Sequence, residues 1–198
     1  MSRISISGLR ARDIGPLDLE IGAGECVCLS GPSGSGKSLT LRAIADLDPH
    51  EGVLAIDGES STSMSGPTWR KRVGMLPAES QWWYETVKEH FPKNDGTYLA
   101  AVGFADEAMD WEVSRLSTGE KQRLALARLL ANEPDVVLLD EPTAALDKES
   151  AARVELLIDN YRKQHSAAVL WVSHDPEQIV RVSGRLLRLD QGCWREAQ

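Results

Sequence analysis

The spacing of apolar and polar positions resolves this chain into short strands that alternate with helices. Leu17, Leu19 and Ile21 alternate with polar neighbours, the period of two that a half-buried strand requires. Glu25–Ser30 (ECVCLS) reads as a second strand, running directly into the glycine-rich stretch GPSGSGKS. From Gly36 to Asp46 the pattern turns helical, leaving Leu39, Leu41, Ile44 and Leu47 to pack against a sheet. Gly52–Ile56 and Val73–Leu76 predict two more strands, separated by the most polar stretch of the chain, Asp57–Thr68, which reads as a loop. Between Glu85 and Trp111 the pattern is helical, with Val87, Phe91, Leu99, Val102 and Phe104 as packing residues. Gly119–Ala131, rich in Leu, Ala, Lys and Arg, predicts a helix from propensity as well as pattern.

Val136–Leu139 and Ala167–Val172 are continuous apolar runs, the mark of central parallel strands covered on both faces. Lys148–His165 lies between them with Val154, Leu157, Ile158 and Tyr161 at helical spacing, and Leu186, Leu187 and Leu189 predict a final strand. Strand–helix–strand alternation implies an α/β fold with a mostly parallel sheet, which binds ligands at the C-terminal ends of its strands.

At 198 residues the chain is long enough for one buried core and a small appended lobe. Its net charge of −8 argues against nucleic acid as a partner, since nucleic-acid binders carry a basic stripe. No apolar run approaches the ~20 residues of a membrane span. The first residues, MSRISISGLRARD, have no apolar segment of the signal-peptide kind. Three cysteines make no disulfide framework. Cys26 and Cys28 are two apart in a strand, face one side and read as core packing. Together these features predict a soluble, reduced, cytoplasmic protein.

Gly31–Ser38 is a complete G-x-x-x-x-G-K-S phosphate loop between a strand and a helix. Gly31, Gly34 and Gly36 let the backbone curl so that its N–H groups point inward at phosphate oxygens. The helix beginning there adds its positive end. Lys37 supplies a mobile charge to the β- and γ-phosphates, and the Ser38 hydroxyl is placed to ligate Mg²⁺. Asp140 and Glu141 end an apolar strand, where Asp140 approaches the metal ion and Glu141 turns toward the γ-phosphate. His174 emerges at another strand end, 33 positions after Glu141.

With LSTGEKQR (Leu116–Arg123) between the phosphate loop and the VVLLDEP segment, the chain resembles ATP-binding cassette (ABC) ATPases from about Ile4 to Leu189. The resemblance implies a P-loop NTPase core of the ABC type, with N-terminal antiparallel strands and a short helical subdomain. The whole of residues 1–198 is then one domain, with the core at about 1–77 and 117–198 and the subdomain at about 78–116. It makes Glu141 the general base, His174 the switch histidine, and Lys37 the third catalytic group. Gly31, Pro32, Ser33, Gly34, Ser35, Gly36, Lys37, Ser38 and Leu39 become the ATP-binding loop, and Ser38 and Asp140 the Mg²⁺ ligands. Ser117, Thr118 and Gly119 would cap nucleotide bound to a second copy, so each chain holds half of each site. Ala144–Asp147 resembles the D-loop that couples the two sites through Asp147. The implied partners are ATP, a second copy of the chain, and a separate membrane subunit that holds it at the inner face of the cell membrane. A narrower likeness to small ATPase subunits of iron exporters suggests metal export. Chromosome-maintenance ATPases share the motifs but insert long coiled coils, for which the 79 positions from Lys37 to Leu116 leave no room. A regulatory ABC ATPase with soluble partners is the alternative.

Two features depart from the family pattern. No aromatic residue precedes Gly31 to stack on adenine, which leaves a guanidinium of Arg10 or Arg12 as the substitute. The glutamine expected after Val73–Pro77 falls at Ala78, which cannot touch a metal ion or water. Trp82, Trp83 and Tyr84 then stand out as candidates for contact with the membrane subunit.

Overall fold

Alternation along the strands sorts the apolar side chains into two cores on opposite faces of one sheet, as a computed structural model describing residues 2–92 and 95–197 shows. Along β7 (Val136–Asp140), Val136 and Leu138 point to one core and Val137 and Leu139 to the other. Five strands run parallel in the order β9 (Arg185–Asp190), β3 (Cys26–Ser30), β8 (Ala168–Val172), β7 and β6 (Val73–Leu76). β10 (Cys193–Ala197) closes one edge antiparallel to β9, so Leu186–Leu189 is the penultimate strand rather than the final one. Its tight turn at Gln191–Gly192 is the signal that the apolar pattern alone does not carry.

The first core is closed by a four-stranded antiparallel sheet, β2 (Ile14–Gly22), β1 (Ser2–Ala11), β4 (Glu51–Ile56) and β5 (Glu59–Ser60), together with α1 (Lys37–Ile44). At the end of the stretch expected to be loop, Asp57–Thr68, α2 (Gly66–Arg72) begins and runs on to the next strand. Ser65 caps it, accepting the Thr68 N–H at 3.3 Å, and Pro67 stands in its first turn, a start signal present in the sequence. Trp69 of α2 is 1% exposed and donates its indole N–H to Ile44 O at 2.9 Å. Asp135 ties the two sheets by accepting from Arg3 of β1 and from Arg72 at 2.6 Å.

The second core packs α3 (Thr118–Leu130) and α4 (Lys148–His165) on the other face, with Cys26 and Cys28 buried there side by side. α5 (Pro176–Val182) follows β8. Among the described residues of 78–116 there is no α-helix, only short 3₁₀ segments such as Lys88–His90, Ala100–Val102 and Asp106–Asp110. Val87, Phe91, Leu99, Val102 and Phe104 are nevertheless all buried in the second core. Pro92, Gly96 and Gly103, the last at φ +85°, cut the segment into pieces too short to propagate a helix. Its ends are pinned instead by a Thr86–Glu112 bridge.

His90 organises the start of this segment. Its Nε2 accepts the N–H groups of Trp83 and Tyr84, each at 2.9 Å, so the ring hydrogen lies on Nδ1 and is donated to Thr86 O at 2.9 Å. A second ring proton would set N–H against two N–H donors. Burial, with the Arg128 charge assisting, holds His90 below its ordinary value of 6.5, although the hydrogen bond to Thr86 and the Glu89 carboxylate oppose this. The folded chain therefore prefers neutral His90, and the unfolded chain binds more protons below pH 6.5. The stability His90 contributes is whole above that pH and declines below it. Urea midpoints followed by tryptophan fluorescence should fall between about pH 7.5 and about pH 5.5, and fall less in His90→Gln. Equal pH dependence in the two proteins would show that His90 is not the group responsible.

Candidate functional site

Adjacent parallel strands bring the site together. Leu29 of β3 pairs with Val172 of β8, and Val172 with Asp140 of β7, so the three strands end at one level. Beyond these ends Gly31, Ser33, Gly34, Gly36, Lys37, Ser38, Leu39, Asp140, Glu141 and His174 line one open cavity of about 500 Å³. All ten are residues expected from the motifs. Pro32 shapes the loop from behind, its carbonyl accepting from Ser35 N–H at 3.2 Å and from Lys37 Nζ at 2.9 Å.

Two of the loop's glycines are required by close approach. A Cβ on Gly31, at φ +151°, would sit 2.2 Å from Leu189 O, and one on Gly36, at φ +98°, 2.2 Å from Ile14 Cδ1. Ile14 and Leu189 are thus supports of the phosphate loop that no motif announced. The turn carrying Arg12 lies beside Ile14, and the Arg12 charge reaches Asp48.

Several observations fit an anionic ligand with a cation. α1 opens with its first-turn amides unencumbered by any acidic side chain. The Ser35 hydroxyl is buried in the loop without a partner. Lys37 Nζ is held by Gly31 O and Pro32 O, both at 2.9 Å, rather than by a carboxylate, so its charge is not neutralised. Asp140 is 5% exposed. Burial pushes its carboxyl up; the hydrogen bond from Ser38 and the Lys37 charge pull against this, and Glu141 adds to it. A buried carboxylate beside a hydroxyl is the donor set expected of a hard divalent cation that takes its remaining ligands from phosphate and water.

Glu141 leaves the strand in a left-handed conformation, φ +48°. This costs about 1–2 kcal/mol for a residue with a Cβ. Its N–H still donates to Val172 O at 3.2 Å, which anchors the turn. One carboxylate oxygen lies 3.4 Å from His174 Nδ1.

Ser117, Thr118 and Gly119 lie outside this cavity, at the start of α3. Ser117 and Glu120 form a reciprocal cap: the Ser117 hydroxyl accepts Glu120 N–H at 3.3 Å and Glu120 accepts Ser117 N–H at 2.8 Å. Gly119 sits against the Ala144–Asp147 turn, where an added Cβ would meet Ala145 O at 3.2 Å. None of Ala78, Glu79, Ser80 or Gln81 lines the cavity. Instead Pro77 O accepts from the buried amide of Gln122 on α3 at 2.9 Å. Trp83 and Tyr84 are 64% and 52% exposed, whereas Trp82 is partly buried beneath the Arg128 guanidinium at 4.5 Å.

Residues 14–144 match the family described as ABC transporter. An aliphatic sulfonates import ATP-binding protein of Rhodococcus jostii is 36% identical over 197 residues, covering 96% of this chain and 72% of its own. ABC transporter I family member 17 of Arabidopsis thaliana is also 36% identical, covering 92% of this chain and 74% of its own. Among solved structures, a dimeric ATP-binding cassette in a post-hydrolysis state with ADP and Pi superposes with TM-score 0.84 at 24% identity, over 98% of both chains. A bacterial Atm1-family ABC exporter with ATP bound superposes with TM-score 0.79 at 26% identity, over 96% of this chain and 37% of the exporter.

Asp140→Asn keeps the shape of the site and removes a charge that burial disfavours. The ligand-free variant should therefore melt higher than the parent at pH 7, with the gap narrowing as pH falls and Asp140 takes up its proton. A lower melting temperature would mean that the Asp140 charge stabilises the empty fold.

Proposed function

Because the chain belongs to the ABC transporter family as an ATP-binding, ATP-hydrolysing subunit that works with Mg²⁺, we propose that two copies of it clasp two ATP molecules and drive a separate membrane subunit. The observation that carries this is the single cavity shared by the phosphate loop, Asp140, Glu141 and His174. Gly31–Leu39 wraps the phosphates with backbone N–H groups, with Pro32 and Ser35 holding its curl. Lys37 exchanges its two carbonyl partners for phosphate oxygens. Ser38 and Asp140 would hold Mg²⁺, which would supply positive charge against the phosphates. Glu141 accepts a proton from water as the water oxygen bonds to the γ-phosphorus and the bond to the bridging oxygen breaks, leaving ADP and phosphate. His174 orients Glu141 and reaches the γ-phosphate from the neighbouring strand end.

Ser117, Thr118 and Gly119 serve the other copy. They cap the nucleotide in its phosphate loop with the positive end of α3, and the Ala144–Asp147 turn packed on Gly119 links this contact to Glu141. Trp83 and Tyr84 form the outward part of the face that meets the membrane subunit, while Trp82 buttresses it from within. A guanidinium of Arg10 or Arg12 stacks on the base. Among the described residues no helix is long and apolar enough to cross a membrane, in keeping with a spanning partner. The names of the curated relatives favour import of small organic molecules and lend no support to iron export. The cargo itself is set by the membrane subunit.

Glu141→Gln removes the base and keeps the shape. It should bind ATP, lose turnover by at least about a hundredfold, and run as a dimer in ATP and Mg²⁺ by size-exclusion chromatography with light scattering. A monomer at saturating nucleotide would exclude the interfacial site.

A further inference from the structure

The buried amide of Gln178 joins the two loops that carry Glu141 and His174. Gln178 is the third residue of α5 and is 5% exposed. Its Oε1 accepts from the Ser173 hydroxyl at 2.9 Å, and its Nε2 donates to Thr143 Oγ1 at 2.8 Å and to Glu155 Oε1 at 2.9 Å. Glu155 fixes which way the amide faces, because a carboxylate only accepts. That carboxylate is itself held by a two-pronged contact from Arg181, at 3.0 Å to Nε and 2.9 Å to Nη2. Burial opposes its charge, but the hydrogen bonds from Arg181 and Gln178 outweigh burial and keep the Glu155 carboxyl below its usual range. The Ser173 oxygen accepts Asp175 N–H at 3.1 Å, which leaves its own hydrogen for Gln178. Each donor in the cluster has one acceptor to serve, so the amide has one arrangement.

Ser173 immediately precedes His174, and Thr143 lies two residues beyond Glu141. The His174 side chain is 72% exposed and meets Glu141 at 3.4 Å, with no packing of its own to fix it. Its placement therefore depends on the backbone of Ser173–Asp175, which Gln178 clamps on one side. The same amide holds the start of the turn that runs on to Leu146 beneath Gly119.

We propose that Gln178 is a positioning residue for ATP hydrolysis: by bridging Ser173 and Thr143 it sets the spacing of His174 and Glu141, and it ties that spacing to the turn under Gly119. This rests on the roles given above to Glu141 and His174. Gln178 touches neither nucleotide-binding loop nor metal ligand, so its effect falls on turnover rather than on ATP affinity.

The test is steady-state ATPase kinetics of the full chain, with ATP affinity and melting temperature measured alongside. Gln178→Leu should lower kcat about ten- to a hundredfold, the range for residues that orient catalytic groups, with KM for ATP changed by less than about threefold. Gln178→Glu places a carboxylate against Glu155 and loses the donor. As pH falls from about 8 to about 6, one proton shared between the two carboxyls removes their repulsion and restores the contact with Glu155, while the Thr143 hydroxyl turns to donate to the new carboxyl. The kcat of that variant relative to the parent should then rise with falling pH, while the ratio for Gln178→Leu stays flat. Two results overturn the proposal: both variants turning over within about twofold of the parent, or both losing activity by the same pH-independent factor, as a merely structural residue would. Glu141→Gln and His174→Ala measured in parallel separate the causes. Normal turnover in those two removes the roles on which the proposal rests. Inactivity there with normal Gln178 variants removes this inference alone.

Discussion

Three neighbouring strands, β3, β8 and β7, end at one level, and the register between them decides where every reacting group sits. Leu29, Val172 and Asp140 stand in line across the sheet, so the phosphate loop, His174 and Glu141 follow from neighbouring strand ends and line one cavity. That register is held by burial on both faces: Val136–Asp140 and Ala168–Val172 are buried throughout. A slip of one residue would turn each strand's two cores inside out, at the cost of both at once. Positioning of the site is thus a by-product of the most strongly enforced packing in the molecule.

What projects from that platform is deliberately less comfortable. Glu141 is turned out of its strand into the left-handed region, Asp140 keeps a carboxyl buried, and Ser35 has a hydroxyl without a partner. The last two are small local costs that a triphosphate and its metal ion would relieve, and the first aims the carboxylate at them. The site is thereby preorganised for an anion. Lys37, parked on two carbonyls, keeps its charge available in the meantime.

Much of this was legible in the residues. The phosphate loop, the Asp140–Glu141 pair and His174 carry their spacing in the chain, and continuous apolar runs identify the central strands because both faces must be covered. The helical period of 85–111 misled because burial of Val87, Leu99 and Val102 is met by 3₁₀ turns once Pro92, Gly96 and Gly103 interrupt the backbone. α2 and α5 are short and mostly exposed, so the apolar pattern does not mark them. Their Ser65–Pro67 and Asp175–Pro176 starts do. Nothing local could reveal Ile14 against Gly36, Leu189 beneath Gly31, or Gln122 holding Pro77, since these contacts join segments far apart in the chain.

Ser117, Thr118 and Gly119 stand apart from the cavity, and in the function proposed above a second copy brings them to it. The most direct measurement is complementation between two disabled chains. Lys37→Ala spoils the phosphate loop and leaves the LSTGEKQR segment intact; Ser117→Arg does the reverse. Each alone should be inactive. Mixed one to one, half of the dimers would pair them and rebuild one sound site of two, restoring up to about a quarter of the parental rate. No recovery on mixing, with both chains folded and shown to pair, would contradict a site shared between copies.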